Sequence, residues 1–172
     1  MKWYVLLVAV LGAATLMGCS GTDTEDIDGG VRHYVDERAP KEIESTRIVT
    51  FSCEISTYSI SMNSSPAAGR YYTFYAGEDG GSYEARAGGE VFTEREFTPE
   101  DGFFEALQEI VEAYDLAQYN GQHYSVSGLP PDYGAKLDIR YDSGESIVAS
   151  DNQSCFIPVK AIEELVELFE NA

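Results

Sequence analysis

The side chains that could carry out catalysis are few in this chain. It contains two histidines, His33 and His123, and three cysteines, of which Cys53 and Cys155 lie well inside the sequence. His123 could activate the thiol of Cys155 as a nucleophile, but nothing in the sequence brings these two residues together. There is no GxSxG nucleophile turn, HExxH metal motif, phosphate-binding glycine loop or dinucleotide-binding motif. The sequence therefore predicts no catalytic residue, no metal site and no cofactor.

Cys53 and Cys155 allow two structural interpretations. They are too few and too far apart in the chain for a zinc site or a CxxC redox motif. Outside the cytoplasm they could pair as a disulfide. Alternatively, each is a separate buried thiol, because free cysteine packs as a small apolar residue. The sequence leaves both interpretations open, and we favour separate thiols.

A predicted hairpin supplies the main candidate binding surface. The segment RYYTFYA-GEDGG-SYEARA is typical of two strands joined by a loop, here placed at residues 77–81. A loop of that length puts an uncharged set of residues on the face expected to be buried: Tyr71, Thr73, Tyr75, Tyr83 and Ala85. The opposite face then carries the set that we expect to be exposed: Tyr72, Phe74, Glu84 and Arg86. Such rings beside a guanidinium can stack on a sugar, a peptide or a side chain of a partner.

The region of Tyr124 and Tyr133 is a second candidate surface, because these two tyrosines flank a loop rich in glycine and proline. For every aromatic residue named so far, ordinary packing in the core is the competing interpretation. The aromatic residues therefore favour a binding module without identifying its ligand.

Carboxylates offer an alternative function, the hydrolysis of cell-wall or surface polymers. The chain contains 30 Asp and Glu residues, so no catalytic pair can be singled out from the sequence. A pocket holding two carboxyl groups of raised pKa would favour the hydrolase, whereas a shallow aromatic groove without such groups would favour binding.

Periodicity predicts the elements that must position these residues. Alternating apolar residues indicate strands from Arg47 onward, and two amphipathic stretches, beginning near Thr98-Pro99 and Pro158, indicate helices. The clearest hairpin spans residues 136–150. A three-residue turn over residues 142–144 gathers its apolar side chains on one face, whereas a two-residue turn does not. The order of elements predicts an α+β domain: a mainly antiparallel sheet of hairpins with two amphipathic helices packed on one face.

The first nineteen residues, MKWYVLLVAVLGAATLMGC, have the features of an export signal. Lys2 is followed by an uncharged run to Leu16, which is shorter than the roughly 20 residues needed to span a bilayer. The ending Leu16-Met17-Gly18-Cys19 resembles the lipobox of bacterial lipoproteins. That resemblance implies cleavage before Cys19 and lipidation of this cysteine on its sulfur and its new amino group. The alternative is an ordinary secretory signal with an incidental cysteine.

These features predict three parts: a signal peptide over residues 1–18, a lipidated and flexible acidic spacer over residues 19–46, and one globular domain over residues 47–172. The formal charge of −19 repels nucleic acid and anionic headgroups, so attachment to the membrane is expected through lipid on Cys19 alone. We expect the protein in the bacterial cell envelope, outside the cytoplasm, bound to an envelope or extracellular protein or to a glycan.

Overall fold

The computed structural model describes residues 24–28, 30–58, 69–129 and 133–172, and for residues 24–28 it describes the backbone only. These residues form an α+β fold, as the sequence predicts. The strands are β1 (Thr24–Asp28), β2 (Val31–Val35), β3 (Ile48–Ser56), β4 (Tyr71–Gly77), β5 (Gly80–Ala87), β6 (Glu90–Phe97), β7 (Gln122–Val126), β8 (Ala135–Tyr141) and β9 (Ser146–Asp151). The helices are α1 (Phe103–Ala113) and α2 (Val159–Glu170), with a short 3₁₀ helix at Leu116–Tyr119.

All nine of these strands belong to one sheet, in the order β1-β2-β7-β9-β8-β3-β4-β5-β6. Neighbouring strands are antiparallel except β7 and β9, which pair in parallel. The strands β1 and β6 lie at the two edges of the sheet as described. This arrangement is the mainly antiparallel sheet expected from the order of elements.

The core lies between one face of the sheet and the two helices. Alternate residues of the central strands are buried there, because successive side chains of a strand point to opposite faces. Both helices bury residues at helical spacing, and Phe169 near the end of α2 joins the three parts. Its ring centroid is 5.1 Å from that of Phe74 in β4 and 5.2 Å from that of Phe103 in α1.

The hairpin of β8 and β9 has the predicted register. Ile139 lies opposite Ile147 and Leu137 opposite Ala149, around a turn that ends in Gly144. Gly144 has φ +87°, the left-handed conformation that glycine adopts at little cost.

The predicted loop between β4 and β5 is wrong by enough to exchange the two faces of β4, whereas the side chains of β5 lie on the predicted faces. Gly77 pairs with Gly80, so the turn contains only Glu78 and Asp79. Since side chains alternate along a strand, this shift places the two aromatic residues predicted to be exposed on the core side. Tyr72 is 1% exposed and Phe74 is fully buried.

The prediction that residues 19–46 form a flexible spacer is also wrong where the structure describes them. The β1 and β2 strands pair with each other, and β2 pairs with β7. Residues 36–46, here called the strap, then follow the surface toward β3. Backbone pairing and polar contacts order this segment without the apolar periodicity on which the prediction depended.

The first helix begins later than predicted. Its first residue is Phe103, preceded by Gly102 with φ +90°, so Thr98 is not its cap. Within the described residues, no helix combines the length and the apolar character needed to cross a membrane.

Candidate functional site

The sheet face opposite the helices carries polar and charged side chains, and we call it the open face. Strand register aligns its side chains in rows across the sheet. From β8 to β6, one such row consists of Asp138, Ser52, Tyr75, Ser82 and Glu96, and we call it the central row. It therefore presents one aromatic ring between two hydroxyl groups, with a carboxylate at each end.

Tyr75 is the exposed aromatic residue of the central row, with 45% of its surface accessible. A Cβ atom added at Gly77 would lie 2.9 Å from the Tyr75 hydroxyl, so the ring extends over the bare backbone of that glycine. Beside it is a depression of about 310 Å³, lined in part by Asp79, Ser82 and Glu96. Tyr75 thus offers a ring surface with polar groups around it.

Ion pairs organise the rest of the open face. In the adjacent row, Glu54 accepts hydrogen bonds from the Tyr71 hydroxyl at 2.7 Å and from Lys136 Nζ at 2.8 Å. Partial burial acts to raise the pKa of Glu54, but these hydrogen bonds outweigh it and the pKa lies below its usual value. In the central row, Asp138 accepts two hydrogen bonds from the Arg140 guanidinium, at 2.6 and 2.8 Å. These hydrogen bonds hold the Glu54 and Asp138 carboxylates in fixed positions on the open face.

Of the residues predicted to form an exposed hairpin surface, the structure brings only the charged pair to the open face. Glu84 and Arg86 lie there, with Arg86 Nε 2.5 Å from Glu84 Oε1. Tyr72 and Phe74 lie on the other side, where the Phe74 and Tyr83 ring centroids are 5.4 Å apart. Burial raises the pKa of Tyr72. The prediction of an exposed face is therefore correct for Glu84 and Arg86 and wrong for Tyr72 and Phe74.

The second predicted surface is not a single aromatic loop. Tyr124 belongs to β7, where its ring centroid is 4.5 Å from that of His33 in β2. Tyr133 is half-buried just before β8. Both tyrosines are thus part of the framework of paired strands or lie next to it.

The two internal cysteines are free thiols in the structure. Burial raises the pKa of Cys53 well above its ordinary value and raises that of Cys155 to about 12. A thiol with so high a pKa is almost entirely protonated at neutral pH, which is unfavourable for a nucleophile. His123 instead has its Nδ1 atom 3.1 Å from the Ser150 hydroxyl.

A polar pocket of about 500 Å³ lies where the strap meets β2, β7 and β9. Its carboxylates already have partners. Asp36 accepts hydrogen bonds from the side chain and backbone of Arg38, which lower its pKa. Glu145 accepts the backbone N–H groups of Glu44 and Ser45, both at 3.0 Å, and its pKa is lowered by the hydrogen bond from Glu44 and further contacts. The pocket therefore anchors the strap.

Asn120 completes this anchoring. It is 4% exposed, its Nδ2 donates to the Pro40 and Ser146 carbonyls, and its Oδ1 accepts from the Val148 N–H. The Lys41 ammonium donates to the Asn120 carbonyl oxygen.

Among the described residues, no group of three or more His, Cys, Asp or Glu side chains is placed to hold a metal ion. Cys19, the predicted lipidation site, lies outside the described residues.

Comparison of the chain with protein-family models, with curated proteins and with solved structures finds no match.

Proposed function

We propose that this protein is a lipid-anchored lipoprotein of the bacterial envelope that binds a neutral glycan through the open face. The anchor rests on the resemblance of residues 16–19 to a lipobox. The binding site rests on one observation, the exposed ring of Tyr75 within a row of hydroxyl and carboxylate groups.

The chemistry of the central row suits a sugar. An aromatic ring accepts the apolar face of a pyranose, and the hydroxyl groups around that ring need polar partners in the same plane. Ser52 and Ser82 flank the ring and can donate or accept hydrogen bonds. The carboxylates at the ends of the row accept hydrogen bonds from sugar hydroxyls and disfavour an anionic ligand.

Carboxyl pKa values favour binding over hydrolysis. A glycoside hydrolase needs one carboxylic acid whose raised pKa keeps its proton near neutral pH. In the described part of the chain, the carboxyl groups with a resolved shift are Asp36, Glu54 and Glu145, and each has a lowered pKa. Each also has a cationic side chain or backbone N–H groups as partners, which is typical of a structural role.

Calorimetric titration of the full-length protein, in detergent, with chitohexaose and with cellohexaose tests the proposal. We expect at least one of these neutral oligosaccharides to bind, and Tyr75→Ser to weaken that binding by at least about fivefold. The matched control is Tyr58→Ser, because Tyr58 has the same 45% exposure but lies beyond the far end of β3. Absence of binding by both oligosaccharides, or equal losses in the two variants, would overturn the proposal.

A further inference from the structure

The outer edge of β6 is a strand edge without a partner at one side of the sheet. β6 has eight residues, and among the described strands it pairs with β5 alone. In an antiparallel pair, the backbone groups of alternate residues point away from the partner strand. Those groups of β6 can therefore pair with an added strand, which is a recurring way in which proteins bind extended peptides.

Two carboxylates line the open-face side of this edge. Glu94 and Glu96 are exposed, whereas Arg95 between them lies on the other side of the sheet. There the Arg95 guanidinium donates hydrogen bonds to the backbone oxygens of Glu170 and Ala172. Neither Glu94 nor Glu96 forms an ion pair with a described residue. The carboxylates of the edge thus have no positive counterpart in the described part of the chain.

Strand register adds a third carboxylate next to Glu94. Glu84 in β5 lies directly opposite Glu94. Like charges at directly opposite positions destabilise a strand pair. The ion pair with Arg86 offsets the charge of Glu84. A cation beside Glu94 would offset the second charge and relieve the repulsion that remains.

The charge of the two sheet edges argues against a second copy of this chain as the added strand. β6 contains three acidic residues and one basic residue, and β1 contains three acidic residues and no basic one. Pairing β6 with either edge of another copy would bring like charges together. The charge of β6 instead complements a strand that carries basic side chains at alternate positions.

The start of β6 adds an apolar contact surface to these carboxylates. Val91 and Phe92 are each 47% exposed. A strand added along β6 would cover part of both side chains. The edge therefore suits a segment that has basic residues in its middle and an apolar residue beyond them.

We propose that β6 binds an extended basic segment of a partner protein by adding it to the sheet as a further strand. Backbone hydrogen bonds join the segment to β6. Its alternate Lys or Arg side chains lie beside Glu94 and Glu96, and an apolar side chain lies toward Val91.

Titration of the isotopically labelled full-length protein in non-ionic detergent, followed by nuclear magnetic resonance, tests this site. The probe is the peptide acetyl-VTKTKTV-amide, whose sequence reads the same in both directions and so fits either strand orientation. The control peptide, acetyl-VTETETV-amide, has the opposite charge. We expect only the lysine peptide to bind, and we expect it to slow the hydrogen exchange of the outward-pointing β6 amides. General attraction of a cationic peptide to an acidic protein would protect no particular strand.

Charge reversal at Glu94 tests the complementarity without changing the central row. Glu94→Lys should weaken binding of the lysine peptide by about fivefold or more, because an attraction is replaced by a repulsion. The variant should still fold, since a lysine opposite Glu84 is a favourable cross-strand pair. Glu109→Lys is the matched control, because it makes the same charge change at an exposed position of α1, and it should leave the affinity unchanged.

Several results would overturn the proposal: no binding of the lysine peptide, equal losses in the two variants, or binding without slower exchange in β6. Dimerisation that slows the exchange of the same amides in the absence of peptide would assign the edge to a second copy, and it would overturn the proposal as well.

Discussion

At the scale of single residues, Gly134 allows the chain before β8 to approach β9. It has φ +80°, and a Cβ atom added there would lie 1.8 Å from the Asp151 carbonyl oxygen. Its own carbonyl oxygen accepts the Ser56 N–H at 2.7 Å. A side chain at position 134 would therefore push the start of β8 away from β9 and disturb the hydrogen bond to β3.

Gly134→Ala should lower the free energy of unfolding by more than about 2 kcal/mol, because it adds a backbone clash to a left-handed conformation. Gly144→Ala is the matched control, since Gly144 has φ +87° and no atom within 4 Å of the added Cβ. The control should lose only about 1–2 kcal/mol, the cost of that conformation alone. Denaturant unfolding of both variants measures the difference, and equal losses would contradict the role assigned to Gly134.

Tyr72 and Tyr75 show where prediction from sequence reaches its limit. The segment carries aromatic residues on both faces of β4, so composition alone could not decide which face is buried. Only the number of residues in the turn decides which face is buried, and the turn has two residues where five are predicted. Glycines stand on both sides of Glu78-Asp79, so the segment allows a turn at more than one position and the sequence leaves its length open.

At the scale of elements, the strap shows how a polar segment becomes part of a folded domain. It is fixed by a few specific hydrogen bonds, chiefly those of Asn120 and Glu145. Hydrophobic periodicity correctly predicted the β8–β9 hairpin and the start of α2, because these elements bury an apolar face. It could not predict the strap or β2, since their order depends on partners that are distant in sequence.

Acid should release the strap near Glu145. Because the folded-state pKa of this carboxylate is lowered, its stabilising effect is fully present above the unfolded value of about 4.5 and is lost as the pH falls through the lower folded value. We expect the hydrogen-exchange protection of the Glu44 and Ser45 amides to decrease over that range.

The variant Glu145→Gln isolates this carboxylate from the other acidic groups that titrate at the same pH. It cannot ionise, so the two amides should have lower protection at neutral pH and a smaller change on acidification. Protection in Glu145→Gln that matches the original protein at every pH would show that Glu145 does not hold the strap.

At the scale of the whole molecule, the proposed anchor can be tested independently of either binding site. Mass spectrometry of the mature protein should find an acylated Cys19 at its amino terminus. Cys19→Ala should leave the chain unprocessed or release it from the membrane fraction, whereas Cys155→Ala should keep the anchor. An unmodified amino terminus at another residue, in cells with normal lipoprotein processing, would refute lipidation.

If the proposed lipid anchor is correct, the position of β1 limits how far from the membrane this protein can act. With Cys19 lipidated, only five residues connect the lipid to Thr24, a distance of at most about 18 Å in extended chain. Tyr75 lies in β4, six strand spacings from β1, which adds roughly 29 Å at about 4.8 Å per spacing. If Cys19 is lipidated as proposed, the ring of Tyr75 lies about 50 Å from the bilayer surface when the chain is extended and the distance is measured across the strands. Of that distance, the width of the folded sheet contributes more than the chain between Cys19 and Thr24.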